Sequence, residues 1–144
     1  MIIAVDFDGT IVEHKYPAIG KEIPYAIETL KLLAKDKHQI ILWTVREGKY
    51  LQEALDFCKE RGLEFYAVNT NYPEESTAHS TFSRKLKADV FIDDRNVGGL
   101  PEWGIIYRMI KENLTFDDLM NEFDNAPRQQ QKNKGGFFNR LFSK

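Results

Sequence analysis

The sequence predicts an α/β fold in which a central parallel β-sheet is covered by helices on both faces. Short apolar runs rich in β-branched residues alternate along the chain with segments whose apolar residues recur at helical spacing. The length of 144 residues suits one domain with its own core and leaves little for a second. We therefore expect a single α/β domain over residues 1–125, followed by a basic tail over residues 126–144.

The predicted elements follow one another in the alternating order of a parallel sheet. Pro24 suits the first turn of the first helix, and Gly62 is a typical stop after the second. The order is a strand over 1–7, a flap over 9–23, a helix over 24–37, a strand over 39–44, a helix over 49–61, a strand over 63–69, a loop over 70–79, a short helix over 81–86, a strand over 89–92, a loop over 95–101 and helices over 102–111 and 116–123. A weak strand pattern over 105–106 competes with the helix there. The polar residues 126–136 are expected to be disordered.

Composition and charge limit the class of protein. The chain is 42% hydrophobic and 29% charged, which is ordinary for a globular protein, and no apolar run approaches the roughly 18 residues of a membrane span. We find no secretory signal, and the single Cys58 allows no internal disulfide, so we expect a cytoplasmic location. The net charge of −2 combines −7 over residues 1–125 with +5 in the tail, and this acidic body argues against a nucleic-acid partner.

Polar residues follow the predicted strands at the points where each strand ends. The first strand runs into Asp6-Phe7-Asp8-Gly9-Thr10, the second ends at Thr44, and the fourth is followed by Asp93-Asp94, with Lys85 shortly before it. Parallel sheets bind ligands beyond the carboxyl ends of their strands. We therefore expect these acids, the hydroxyl and the amine to converge at one edge of the sheet.

This set of residues is suited to phosphoryl transfer. Clustered carboxylates raise one another's pKa values unless a cation lies among them, and carboxylate oxygens suit Mg²⁺. A carboxylate can attack phosphorus to form an aspartyl-phosphate, while a metal and a lysine offset the charge of the transferring group. A second acid can protonate the leaving oxygen and then activate water. Asp8 lies two residues beyond Asp6, on the same face of an extended strand, and Gly9 allows a sharp turn after it.

The same residues resemble the signature motifs of the haloacid dehalogenase superfamily. Residues 6–10 resemble its first motif, and Thr44, Lys85 and Asp93-Asp94 resemble its second, third and fourth motifs in the same order. The resemblance covers roughly residues 1–110, and the stretch over residues 92–104 is similar to a compact bacterial branch of phosphatases in that superfamily. It implies a Rossmann-like three-layer sandwich.

The resemblance also implies roles for individual residues. Asp6 would be the nucleophile and a metal ligand, and Asp8 the acid/base partner with its main-chain carbonyl on the metal. Asp93 would be the second metal carboxylate, and Asp94 would hold a metal-bound water or orient the metal's other ligands. The implied cofactor is Mg²⁺, and the implied phosphate contacts are Gly9, Thr44, Val45 and Lys85, with Lys87 as the alternative lysine.

The spacing of the motifs leaves no room for a cap domain. Thirty-three residues separate Thr10 from Thr44 and forty separate Thr44 from Lys85, and the predicted flap, helices and strand occupy both intervals. We expect an open site covered by residues 12–22, by residues 69–80 or by a neighbouring subunit. The sequence offers further candidates for contact with a substrate: His14, Arg46, Glu47, His79, Arg95 and Asn96.

The expected function is Mg²⁺-dependent hydrolysis of a small phosphomonoester, such as a sugar phosphate or a nucleotide. Asp8 favours phosphate transfer, because the dehalogenases of the superfamily lack this second aspartate. Two alternatives stay open: a regulatory module that binds phosphate or Mg²⁺ without turnover, and an end-processing phosphatase acting on nucleic acid. The resemblance also implies self-association as a homo-oligomer. The apolar and basic residues 136–144 suit contact with a partner or a membrane surface.

Overall fold

A computed structural model describes residues 1–76, 78 and 83–125 of the chain. These residues contain four strands and four helices. The strands are β1 (Ile2–Val5), β2 (Gln39–Leu42), β3 (Ala67–Val68) and β4 (Val90–Ile92), and the helices are α1 (Ala26–Lys35), α2 (Gly48–Glu60), α3 (Trp103–Glu112) and α4 (Phe116–Asn125). Residues 1–107 form one compact unit, and a second unit begins at Arg108.

The four strands form one parallel sheet in the order β3-β2-β1-β4. This confirms the predicted α/β class with a Rossmann-like parallel sheet. The central strand β1 pairs on both sides, and Ile3, Ala4 and Val5 are buried, as expected for a strand whose two faces are both covered. The interval between β1 and α1 holds no further helix or strand, only isolated bridges, which agrees with the absence of a cap there.

Several element boundaries differ from the prediction. The third strand was expected over 63–69, but β3 has two residues, because it lies at the edge of the described sheet and Asn69 takes a left-handed backbone angle (φ 54°) directly after it. The second strand ends at Leu42 rather than at residue 44. The competing strand over 105–106 is wrong, because these residues lie in α3.

The short helix predicted over 81–86 is wrong over residues 83–86, which are not helical, while residues 81 and 82 lie outside the described part. Leu86 is buried, but Ser83, Arg84 and Lys85 are exposed, so the segment has no apolar face to bury as a helix. The Lys87 N–H donates instead to the side chain of Asn71 at 2.7 Å. The tail predicted over 126–144 also lies outside the described residues, so the domain boundary at residue 125 stays a prediction.

The segment predicted as a loop or flap over residues 9–23 leaves β1 and returns before α1, and from here on we use the word flap for its residues 13–21 alone. The base of the flap is closed by main-chain hydrogen bonds from Glu13 N–H to Lys21 O (2.7 Å) and from Ile23 N–H to Ile11 O (2.9 Å). Gly20 packs against this base so closely that a Cβ there would lie 1.9 Å from the Glu13 carbonyl oxygen. The base of the flap is therefore tightly packed, and position 20 has no space for a side chain.

In the second unit, α4 begins with a capping box. The Thr115 hydroxyl oxygen accepts from Asp118 N–H at 3.2 Å, and the Asp118 carboxylate accepts from Thr115 N–H at 2.7 Å. Arg108 forms one ion pair with Glu112 within α3 and a second with Glu122, which joins the end of α3 to α4. Among the described residues, no helix combines the length and apolar character needed to cross a membrane.

Candidate active site

Three carboxylates meet at the carboxyl ends of β1 and β4. Val5 is opposite Ile92 in the parallel register, and Asp6 N–H donates to Ile92 O at 3.0 Å. This pairing brings Asp6 beside Asp93 and Asp94, and one oxygen from each of the three carboxylates lies within 4.8 Å of the others. The cluster is a direct consequence of strand order, because β1 and β4 are neighbours although they are far apart along the chain.

The surroundings of Asp6 disfavour its charged form. The pKa of Asp6 is raised from 3.8 to about 6, chiefly by burial, while the N–H of Phe7 acts in the opposite direction by hydrogen bonding to the carboxylate. The negative charges of Asp93, Asp94 and Asp8 contribute to the same rise. A cation among these carboxylates would remove this penalty, so the cluster has the electrostatic character of a metal site.

Asp94 adds a second reason to expect a cation. Its Oδ1 atom is buried and has no hydrogen-bond partner among the described residues. A buried carboxylate oxygen without a donor is costly, and such atoms are uncommon in folded proteins. With Asp6 and Asp93, the Asp94 carboxylate forms an all-oxygen donor set of the type that Mg²⁺ prefers. The residues present therefore fit the predicted cofactor.

Thr10 and Gly9 shape the loop around the cluster. Asp94 N–H donates to the buried hydroxyl oxygen of Thr10 at 3.0 Å, and the same hydroxyl lies 3.5 Å from Asp6 Oδ2. Gly9 has φ 94°, and a Cβ there would lie 2.4 Å from Asp94 Oδ2. The position therefore requires glycine for its backbone angle and for the approach of Asp94. The Gly9 N–H donates to Val12 O at 2.7 Å, and the predicted contact of Gly9 with phosphate stays a prediction.

Asp8, only two residues beyond Asp6, has a different environment. Its Oδ2 accepts from Arg46 Nε at 2.6 Å and its Oδ1 accepts from Arg46 Nη2 at 2.7 Å. The Asp8 side chain is buried, and the Arg46 side chain is fully inaccessible to solvent. The pair therefore has the bidentate geometry that gives arginine–carboxylate contacts their directional specificity.

Thr44, two residues beyond the end of β2, is held by the residue that follows the neighbouring strand β3. Thr44 N–H donates to the Asn69 side-chain oxygen at 2.8 Å, and Thr44 Oγ1 accepts from Arg46 N–H at 3.2 Å. Asn69, which directly follows β3, thus positions the loop that follows β2. Because the Thr44 oxygen accepts from Arg46, its own hydroxyl proton can be directed to a ligand.

A cavity of about 410 Å³ opens beside the carboxylates. Its walls are formed by Asp6, Asp8, His14, Tyr16, Trp43, Thr44, Val45, Asp93 and Arg95. The apolar side chain of Val45 is 83% exposed at this edge, which suits contact with a ligand more than packing. A cavity of this size fits a small molecule.

The structure brings together most of the predicted site residues, but not all of them. Asp6, Asp8, Thr44, Val45 and Asp93 line the cavity, and Asp94 completes the carboxylate cluster. In the described part of the chain, the cavity walls include neither Lys85 nor Lys87, and both side chains are exposed. Contact between either lysine and phosphate therefore stays a prediction. His14 and Arg95 lie in the walls, and their contact with a substrate stays a prediction, whereas His79 lies outside the described residues.

Sequence reasoning missed the contributions of three residues. Tyr16 and Trp43 line the cavity, and Trp43 also packs against Phe91 with ring centroids 5.1 Å apart. Arg46 was considered only as a possible wall of the site, and its pairing with Asp8 was not foreseen. The available signal was its place two residues after Thr44, at the same sheet edge as the acids, where an arginine has carboxylates within reach.

The comparisons with known proteins support the fold. A solved structure of a conserved protein from Bacteroides thetaiotaomicron shares 70% sequence identity with the chain and superposes with a TM-score of 0.78. The match covers 83% of this chain and 96% of the other. The chain belongs to the family of that conserved protein. This relationship carries no activity with it, and no family model and no curated protein matches the chain.

Proposed function

We propose that the protein is a Mg²⁺-dependent phosphomonoester hydrolase of the haloacid dehalogenase superfamily, acting on a small phosphorylated metabolite. The observation that carries the proposal is the carboxylate cluster of Asp6, Asp93 and Asp94, whose oxygens approach within 4.8 Å at the edge of a ligand-sized cavity. In the same cluster, the Asp94 carboxylate has one oxygen, Oδ1, that is buried without a donor among the described residues. Such a cluster is costly without a cation and is suited to a phosphate ester with one.

Asp6, Asp93 and Asp94 would hold the Mg²⁺ ion with their carboxylates, and Asp8 with its main-chain carbonyl. When bound, Mg²⁺ supplies positive charge that offsets the charges of the carboxylates and of the substrate phosphate. Thr44 donates its hydroxyl proton to a phosphate oxygen. Val45 contacts the substrate at the edge of the cavity, where its side chain is exposed.

Asp6 is the proposed nucleophile. One of its carboxylate oxygens forms a bond to phosphorus while the bond from phosphorus to the ester oxygen breaks, which leaves an aspartyl-phosphate. Asp8 in its acid form donates a proton to the departing ester oxygen, so that an alcohol leaves. A water then attacks phosphorus, Asp8 takes a proton from that water, and the bond to Asp6 breaks to release inorganic phosphate.

The contact with Arg46 is consistent with Asp8 as the proton acceptor. A carboxylate has about four lone-pair directions, and the guanidinium occupies one on each oxygen. The other directions can receive the hydrogen of a water molecule in the cavity, which Asp8 lines. The orientation of the carboxylate is then set by Arg46 before a substrate arrives, which is the condition for efficient proton transfer.

A second candidate function is a binding module that takes up Mg²⁺ and phosphate without turnover. Two observations favour it: the guanidinium of Arg46 engages both oxygens of Asp8, and neither Lys85 nor Lys87 lies in the walls of the cavity. A module of this kind would bind inorganic phosphate in the presence of Mg²⁺ but release none from esters.

The test is phosphate release from a panel of phosphomonoesters with Mg²⁺ or with EDTA. We expect release that requires Mg²⁺ in the native protein and a loss of roughly 10³-fold or more in Asp6→Asn, because the nucleophile is removed. Asp36→Asn is the matched control, since Asp36 is an exposed carboxylate bonded to the Tyr107 hydroxyl, and it should keep full activity.

Two results would contradict the proposal. A well-folded native protein that releases no phosphate from any ester would favour the binding module. Release that persists in Asp6→Asn at the native rate would show that Asp6 is not the nucleophile.

A further inference from the structure

Arg46 contacts two parts of the molecule at once. Besides its two bonds to Asp8, its Nη1 donates to Pro17 O at 3.0 Å and its Nη2 donates to Ala18 O at 2.9 Å, and both carbonyls belong to the flap. A longer contact of 3.5 Å joins Nη1 to Tyr50 O in α2. All five N–H donors of the guanidinium therefore have an acceptor, although the side chain is fully buried.

Aromatic rings enclose the guanidinium from two directions. Its central carbon lies 5.0 Å from the ring centroid of Phe7 and 5.3 Å from that of Tyr16, within the range of cation–π attraction. Tyr16 belongs to the flap and also lines the cavity, as does His14 in the same loop. The position of the flap therefore decides the shape of one wall of the cavity.

The flap is thus held at both ends. Main-chain hydrogen bonds close its base between Glu13 and Lys21, and Arg46 holds the carbonyls of Pro17 and Ala18 at its tip. The same guanidinium orients the Asp8 carboxylate. Only a planar group with several fixed donors can serve a carboxylate and two carbonyls together, and a lysine ammonium at this position cannot reproduce that geometry.

We propose that Arg46 is a positioning residue that fixes the Asp8 carboxylate and the flap in one arrangement, so that the proton-transferring group and the substrate-facing wall are set together. The catalytic part of this inference rests on the proposed hydrolase function, whereas the link between Arg46 and the flap does not. A buried ion pair is often no more stabilising than apolar residues of the same volume. A functional reason for this pair is therefore needed, and the shared placement of Asp8 and the flap supplies one.

The experiment compares Arg46→Lys with the native protein in two measurements. The first is the initial rate of trypsin cleavage after Lys15, an exposed flap residue, with the cleaved bond identified by mass spectrometry. Cleavage follows the population in which the flap is open. We expect cleavage after Lys15 to be about 10-fold faster in Arg46→Lys. Arg108→Lys is the matched control, because Arg108 also binds two carboxylates but is exposed and lies outside the cavity walls, and its Lys15 cleavage should equal the native rate.

The second measurement is steady-state kinetics with the best substrate from the phosphomonoester panel. We expect kcat to fall about 100-fold in Arg46→Lys, with a much smaller change in KM, because a misplaced acid/base group affects the transition state more than binding. Since Arg46 acts through Asp8, Arg46→Lys should have little further effect on kcat in an Asp8→Asn background. A role confined to folding would not give this dependence on Asp8.

Tyr16→Leu tests the same link with a residue that is already half exposed, and it covers the case in which Arg46→Lys does not fold. It removes the ring beside the guanidinium and should also accelerate cleavage after Lys15. The inference is overturned if neither variant is cut faster than the native protein, or if the kcat losses of Arg46→Lys and Asp8→Asn multiply independently. Should the native protein release no phosphate, the hydrolase proposal fails, and the cleavage rates alone decide whether Arg46 holds the flap.

Discussion

Asp6 and Asp8 belong to the same loop after β1, yet their surroundings are opposite in charge. Asp6 faces Asp93 and Asp94, and burial together with these charges raises its pKa to about 6. Asp8 faces the guanidinium of Arg46, which hydrogen bonds to both of its oxygens. Two identical side chains thus have different environments, which suit the two different roles proposed for them: Asp6 as metal ligand and nucleophile, and Asp8 as an oriented acid/base group.

The largest expected effect comes from replacing Asp8, the acid that is already paired with Arg46. Asp8→Ala leaves the buried guanidinium of Arg46 without a counter-charge, and we expect the free energy of unfolding to fall by about 3–5 kcal/mol. Urea denaturation measures this change. Asp36→Ala, at an exposed carboxylate, should change it by no more than about 0.5 kcal/mol. Equal stabilities for the two variants would mean that the Arg46–Asp8 pair is not buried in solution.

The next largest effect concerns stabilisation by Mg²⁺, which should not depend on the Asp8 carboxylate. At a Mg²⁺ concentration ten times its Kd, we expect the free energy of unfolding to rise by about 1.4 kcal/mol. Asp93→Asn should abolish this gain because Asp93 belongs to the carboxylate cluster. Asp8→Asn should keep it, since the Asp8 carboxylate bonds to Arg46 and only its carbonyl is proposed to reach the metal. Thermal denaturation with increasing Mg²⁺ is the measurement, and a loss of the response in Asp8→Asn alone would reverse this assignment.

The smallest effect concerns Asp6 in the absence of metal. A carboxyl group whose pKa rises from 3.8 to about 6 on folding binds its proton more tightly in the native state. Its contribution to stability is therefore present at low pH and is lost as pH rises from about 4 to about 6. Asp6→Asn removes the charge that is disfavoured above pH 6. We expect this variant to be about 1 kcal/mol more stable than the native protein at pH 7, a value reduced for solvent screening because Asp6 is only partly buried.

The check on this prediction is urea denaturation in EDTA at several pH values. The advantage of Asp6→Asn should disappear below about pH 4, where the native Asp6 is protonated both folded and unfolded. A variant that is less stable than the native protein at pH 7 would contradict the assigned surroundings of Asp6.

The sequence alone predicts the part of the site that depends on strand order. Asp6 and Asp93 directly follow apolar runs, and the rule that parallel strands present ligands at their carboxyl ends predicts their convergence. Gly9 could be read as a turn residue for the same reason. These predictions need only the positions of the strands along the chain, and the hydrophobic pattern of the sequence indicates those positions well.

The rest depends on contacts that no local pattern encodes. An arginine in a sequence is expected to be exposed, and the burial of Arg46 follows from Asp8 and from carbonyl groups of the flap, which carry no sequence signal of their own. The extent of β3 depends on its place at the edge of the sheet, and the non-helical path of residues 83–86 depends on Asn71. Each of these features is set by tertiary partners, so neither propensity nor periodicity could predict it.

The sheet order β3-β2-β1-β4 has a consequence for the growing chain on the ribosome. When β2 has been synthesised, β1 can pair along one edge, but its other edge stays open until β4 has left the exit tunnel. Until then Asp6 and Asp8 are present while Asp93 and Asp94 are not. Until β4 is made, the nascent chain therefore carries an unpaired edge of β1, and such edges favour pairing with other chains. The carboxylate cluster is completed late in translation, after most of the unit over residues 1–107 has already been made.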